Sequence, residues 1–205
     1  MRDKISSCAL QVKQHLISLF DLDLSAAVAC SAISHSLSIA KISSTSLPAL
    51  ELNGVFHPSI EMAHNGSAVP NNMTLGSGSR VAVVTGANMS GKSTLLRAVA
   101  LVSWYTQCGL PSACSGASVV SLFDSIFVRV GSSDDIANDQ SSFMMEMLGV
   151  SALLREDGPM LCALDELGRS TCPEDGASLC AALIRRLGSK VNKEKKGKQS
   201  TFMFS

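Results

Sequence analysis

The eight residues Gly86-Ala87-Asn88-Met89-Ser90-Gly91-Lys92-Ser93, followed by Thr94, constrain this chain more than any other stretch. They fit the pattern G-x-x-x-x-G-K-[ST]. In such a loop small residues let backbone N–H groups wrap a phosphate, the lysine reaches the outer phosphates, and the hydroxyl holds Mg²⁺. The flanks supply the context that the pattern requires. Val81-Ala82-Val83-Val84 is a short unbroken apolar run and predicts a strand buried on both faces. Lys92 to Gln107 contains no Pro or Gly and predicts a helix that ends at Gly109. Strand, loop and helix together aim the positive end of a helix at an anion. A chance Gly/Ser turn is the competing reading, and the flanks count against it. The chain is expected to bind a nucleoside triphosphate, or to descend from one that did.

A second stretch, this one bearing carboxylates, completes the chemistry. Met160-Leu161-Cys162-Ala163-Leu164 is an apolar run that ends abruptly in Asp165-Glu166. A strand delivering two adjacent carboxylates at its tip suits a phosphate-loop nucleotidase, with the first supporting Mg²⁺ and the second polarising the attacking water. By itself the pattern is weak; downstream of a phosphate loop, in an alternating β/α order, it gains force.

The bulk numbers bound the rest. At 205 residues the chain supports one domain with a full core plus an appendage. Seventeen basic and seventeen acidic side chains give no net charge, which argues against coating nucleic acid by charge alone. Any DNA contact is therefore expected from a partner or from sequence outside this chain. None of the seven cysteines forms a C-x-x-C pair, and they read as reduced core residues of an intracellular protein. No apolar run approaches the roughly 20 residues that span a bilayer, and no membrane contact is expected.

Taken in order, residues 4 to 20 place Ile5, Cys8, Val12, Leu16 and Phe20 on a helical stripe, and Leu22 onward predicts a second, Ala-rich helix to about Ile39. Ser43 to Pro48 is a polar break, so a helical arm (residues 1–45) is expected before a nucleotide domain (residues 46–205). Leu50 to Pro58 reads as a strand and turn, Val69 to Leu75 as a short element, and Phe123 to Val130 as a strand. Gln140-Ser141-Ser142 opens a helix through Arg155, and Pro173 opens another to Leu187 with acids in its first turn. Lys190 to Lys198 reads as a solvated connection, with a localisation signal or a DNA-facing loop as the alternatives, and Thr201 to Phe204 as one more strand. His15 and His35 read as ordinary surface or packing residues, and Trp104 and Tyr105 as core packing.

Three motifs in order then carry a resemblance. Thr85 to Thr94 resembles the TGPNMxGKST loop of the DNA mismatch-repair MutS family. Gln140 to Met147 resembles its STFMxEM segment, and Asp165 to Thr171 with Asp175-Gly176 resembles DE[IL]GRGT followed by DG. Weaker echoes lie at His57-Pro58 with Glu61, Val69-Pro70-Asn71, and Leu22-Asp23-Leu24. The resemblance covers nearly the whole chain. It implies an α/β fold: a P-loop NTPase of the ABC-ATPase type, with a mixed β-sheet flanked by helices and preceded by a short all-α arm from the end of the lever and clamp helices.

It also implies roles. Gly86, Ala87, Asn88, Met89, Ser90, Gly91, Lys92, Ser93 and Thr94 would bind the phosphates of ATP. Ser93 and Asp165 would serve Mg²⁺, Glu166 would activate water, and Ser141 would face the γ-phosphate held by a second subunit. Ser141 read simply as a helix cap is compatible with that role. Departures from the family pattern are Ala87 for proline, Ser90 for glycine, Ala68 where an adenine-stacking aromatic is usual, Asn72 for Asp, and Ser170, Cys172 and Pro173 after the acidic pair. The Thr-His switch and dimerising helices of the family lie beyond Ser205, so the chain reads as a fragment expected to be near-inactive alone.

The implied function is the DNA-dependent ATPase of a clamp on mismatched or branched double-stranded DNA, which is contacted through other domains. It would pair with a second MutS-like subunit and work in the nucleus, with mitochondrion, plastid or bacterial cytoplasm as alternatives. The competing function is a catalytically weak, nucleotide-gated subunit of a heterodimer, such as a meiotic-type homologue. A transporter nucleotide domain is disfavoured, since it would carry an LSGGQ-like signature where Ser141-Ser142-Phe143-Met144 stands.

Overall fold

The computed structural model describes residues 2–43, 50–63, 66, 68–76, 79–130, 142–193 and 201–205. The elements in chain order are α1 (Arg2–Ser34), β1 (Lys41–Ile42), β2 (Leu50–Val55), α2 (Pro58–Ala63), β3 (Asn71–Leu75), β4 (Val81–Val83) and α3 (Lys92–Gln107). They continue with β5 (Val119–Val120), β6 (Ser125–Arg129), α4 (Ser142–Arg155), β7 (Met160–Leu164), α5 (Pro173–Lys193) and β8 (Thr201–Phe204).

Among the described residues two four-stranded sheets result, in the orders β1-β5-β2-β3 and β4-β8-β7-β6. The second is parallel throughout, as strands joined by helical crossovers must be. The first is mixed: β1 runs parallel to β5, while β2 runs antiparallel to both β5 and β3. Helix α3 packs on strands of both sheets. Its Leu96, Val99 and Val102 share one core with Leu50, Leu52 and Val120 of the mixed sheet and Leu161, Ala163 and Met203 of the parallel sheet. The alternate residues Met160, Cys162 and Leu164 join Val150 and Leu153 of α4 and Leu183 and Leu187 of α5 in a second core. Strand β7 is thus covered on both faces, which is why all five of its residues are apolar and buried.

Several expectations change. Val81-Ala82-Val83 is a strand, but an edge strand: Val81 and Ala82 are half-buried and Val83 is exposed, because among the described residues only β8 pairs with it. The arm is one helix to Ser34, not two helices to Ile39. Asp21 and Asp23 do not break it, and Ser25 Oγ bonds the Asp21 carbonyl one turn back. Ser36 at φ 52° ends its final turn. Within α1, Gln11–Ser34 is long and apolar enough to cross a membrane, its most apolar 18 residues having a mean hydropathy of 1.8 with Asp21 and Asp23 among them. Residues Leu16, Ile17, Phe20, Leu22 and Leu24 are exposed around the helix, so its apolar surface is wider than the expected stripe. Helix α2 and strand β5 were not anticipated, and α5 extends past Leu187 to Lys193.

Trp104 is exposed, lining a groove of about 640 Å³ between α3 and β6 and not packing in the core. Among the described cysteines, Cys114 and Cys162 are buried as expected, but Cys30, Cys108 and Cys172 are exposed. Apolar sequence context does not tell a covered helix face from an open one. His15 is exposed and His35 half-buried. Of the Lys-rich stretch, residues 194–200 lie outside the described residues.

Candidate functional site

Strand register brings the phosphate loop and the acidic pair to one edge. Val83, Phe204, Leu164 and Arg129 are partners in a single row across β4, β8, β7 and β6. One residue further on, Val84 N–H donates to the Phe204 carbonyl, Ser205 N–H to the Leu164 carbonyl, and Asp165 N–H to the Arg129 carbonyl. The phosphate loop and Asp165 therefore leave the parallel sheet at the same level, two strand spacings or about 10 Å apart. That edge is the carboxyl end of the strands, where open α/β sheets bind their ligands.

The loop is shaped by its backbone. Gly91 caps α3 at φ 92°, a left-handed conformation that glycine adopts without cost, and it offers no side-chain cap. The first N–H groups of α3, at Lys92, Ser93 and Thr94, consequently have no intrahelical acceptor and are suited to an anion. Met89 is also left-handed at φ 62°, fully exposed at the loop tip. Lys92 Nζ reaches back to donate to the carbonyls of Gly86 at 3.0 Å and Ala87 at 2.9 Å. The ammonium is thus held across the loop by the residues it closes.

Asp165 is buried, and its Oδ1 has no hydrogen-bond partner among the described residues. A buried carboxylate oxygen without a donor is costly unless a cation or water answers it. With the Ser93 hydroxyl, it is an oxygen donor of the kind Mg²⁺ takes, so the residues present fit that ion. No cluster of three or more His, Cys, Asp or Glu side chains that would hold a metal unaided occurs among the described residues. Glu166 is exposed and left-handed at φ 48°, unusual for a residue with a Cβ. Its N–H donates to the Ser205 carbonyl, and its carboxylate pairs with Arg169.

Beside the loop lies a cavity of about 510 Å³ whose walls include Phe56, His57, Ile60, Ala68, Lys92 and Leu95. The upstream echoes meet here: Ala68 N–H donates to Glu61 Oε2 at 3.0 Å. His57 Nδ1 is buried without a partner among the described residues. Burial, then the Arg97 guanidinium, pushes the His57 imidazole below its ordinary range.

The family model described as MutS domain V matches residues 82–203, more than half of the chain. The chain belongs to the MutS family. A MutS relative, the DNA mismatch repair protein MutS of Natronomonas pharaonis, is 36% identical over 193 residues, covering 91% of this chain and 21% of its own length. The protein of the same name from Desulfitobacterium hafniense is 43% identical over 141 residues, 68% of this chain and 16% of the relative. DNA mismatch repair protein MutS 2 of Halobacterium salinarum is 41% identical over 145 residues, 69% and 16%. The chain thus spans about a fifth or less of the curated MutS proteins it matches.

Within this MutS chain, the structure places Gly86 to Thr94, Asp165 and Glu166 along one sheet edge, while Ser141 lies outside the described residues. Arg169, which engages Glu166, carries no role by sequence, and Glu146 enters there only within the stretch Gln140 to Met147. The i,i+3 spacing of Glu166 and Arg169 was a visible signal. Burial of Glu146 against a turn 22 residues away was not.

Proposed function

We propose that this chain binds and hydrolyses ATP as the motor part of a MutS-like clamp on mismatched or branched DNA. The observation that carries the reading is the shared row that sets the uncapped start of α3 and the Asp165-Glu166 pair at one carboxyl edge. Backbone N–H groups from Gly86 to Ser93 would hold the phosphates, and Lys92 would turn from its carbonyls to the outer ones. Ser93 and Asp165 would hold Mg²⁺, which when bound supplies charge neutralisation at the phosphates. Glu166 would orient and deprotonate the attacking water. Ser141 would complete the site of a second MutS-like subunit.

Residues 1–45 would form the helical arm, its Lys41 and Ile42 pairing with β5, and residues 46–205 the ATPase domain of the ABC type. The apolar surface of α1 suits burial among other helices, since Asp21 and Asp23 sit within its apolar window. The nucleus is the compartment of choice for a DNA clamp of this kind, with organelles or bacterial cytoplasm as alternatives. A second reading, a slow nucleotide-gated subunit, is favoured by one observation: Arg169 occupies the carboxylate of Glu166.

The test is a fluorescent-nucleotide titration and phosphate-release assay on the full-length protein carrying this chain. Lys92→Ala is expected to abolish measurable ATP binding while circular dichroism is unchanged. Unchanged affinity would remove the loop assignment, and tight binding without turnover in the wild type would select the second reading.

A further inference from the structure

Four backbone anchors hold the turn that follows β7, and one of them comes from a buried charge. Asp165 N–H is held by the Arg129 carbonyl and Glu166 N–H by the Ser205 carbonyl. The Leu167 carbonyl accepts from Cys180 Sγ on α5 at 3.0 Å. Burial and the nearby Glu146 carboxylate raise the Cys180 thiol, consistent with a protonated donor there. Gly168 N–H donates to Glu146 Oε1 on α4 at 2.6 Å. Glu146 is 2% exposed, and its Oε2 is buried with no partner among the described residues.

A half-satisfied buried carboxylate is a poor choice for stability. An apolar side chain of similar volume generally serves a core as well or better. What the carboxylate supplies is a short, charge-assisted bond with a defined direction. Gly168 has no slack to use it otherwise. At φ 83° it presses on the first turn of α5, where a Cβ would lie 2.6 Å from Gly176 Cα. The turn that presents Asp165 and Glu166 is thereby pinned between α5 on one side and α4 on the other, with Glu146 as the α4 pin.

We infer that Glu146 is a positioning residue for the acidic pair, setting the aim of Asp165 and Glu166 through the Gly168 N–H. The inference rests on the ATPase reading above. Its consequence is a separation of binding from chemistry: the phosphate loop lies between β4 and α3, whereas the hydrogen bond of Glu146 goes to the turn after β7.

The full-length protein tests this with three variants. Glu146→Leu fills the space without an acceptor, Glu146→Asp keeps the charge but is one methylene too short, and Glu146→Gln retains Oε1. Leu and Asp are expected to lower kcat roughly ten- to a hundred-fold, the scale of a misaimed group, with KM and nucleotide affinity unchanged. Gln is expected to restore most of kcat. Independently of turnover, hydrogen exchange without nucleotide should be faster in the peptide bearing Gly168 for Leu and Asp, and unchanged for Gln. Should Glu146→Leu not fold, Glu146→Asp decides the matter. Full kcat and unchanged exchange in Asp, or losses of kcat that track losses of Tm in every variant, would overturn the role. If the wild type neither binds nor hydrolyses ATP, the ATPase reading and this inference fall together; if it does both and the variants match it, only the role of Glu146 falls.

Discussion

The guanidinium of Arg169 lies against the carboxylate of Glu166, three residues earlier in the same turn, with both side chains largely open to solvent. The pair ties the group proposed to activate water to a cation in its own chain. Exposed ion pairs contribute about 0–1 kcal/mol and weaken with salt. Arg169→Gln should therefore leave Tm nearly unchanged and raise basal turnover at low salt, the gap to wild type closing as salt rises. A phosphate-release series over ionic strength measures it, and a variant no faster than wild type at any salt would exclude a restraining role for Arg169.

Glu166→Gln keeps shape and removes the base. The variant should retain bound ATP while turnover falls on the order of 10²–10⁴-fold, the usual size of a lost general base. Single-turnover chemistry alongside nucleotide titration separates the two effects. Full activity would assign the proton to another group.

Gly168→Ala meets backbone on both counts. The left-handed φ of 83° disfavours any side chain, and the new Cβ would sit 2.6 Å from Gly176 Cα. A loss of more than about 2 kcal/mol is expected, read as a lowered unfolding midpoint. Gly91→Ala is the control: it shares a positive φ but meets nothing within 4 Å, so its cost should be smaller.

The lowered pKa of His57 makes a pH prediction. Burial and Arg97 disfavour the charged imidazole in the fold, so below the ordinary value of about 6.5 the unfolded chain binds the additional proton. Stability from this residue is complete above that pH and declines as pH falls toward the folded value. His57→Gln should flatten the decline in Tm between neutral and mildly acidic pH; an identical pH profile in the variant would show that other groups set it.

What the sequence determined by itself was local or carried by contiguous residues. Gly91-Lys92 placed the start of α3, Gly109 closed it after Gln107, and the run Met160 to Leu164 marked a strand covered on both faces. These follow from spacing, glycine conformation and unbroken apolarity, all readable along one line. The family motifs, in order, gave the membership that the domain match shows. Tertiary structure alone decided matters that depend on which element lies beside which. Val83 and Trp104 are as apolar as their buried neighbours, yet one lies on a sheet edge and the other lines an open groove. Only strand register puts the loop after β4 and Asp165 after β7 on one edge with β8 between them. Only packing brings Glu146 within 2.6 Å of the Gly168 nitrogen. A side chain's type states what it can bond to; its burial and partner are set by the chain segments folded over it, across sequence distances that no local pattern encodes.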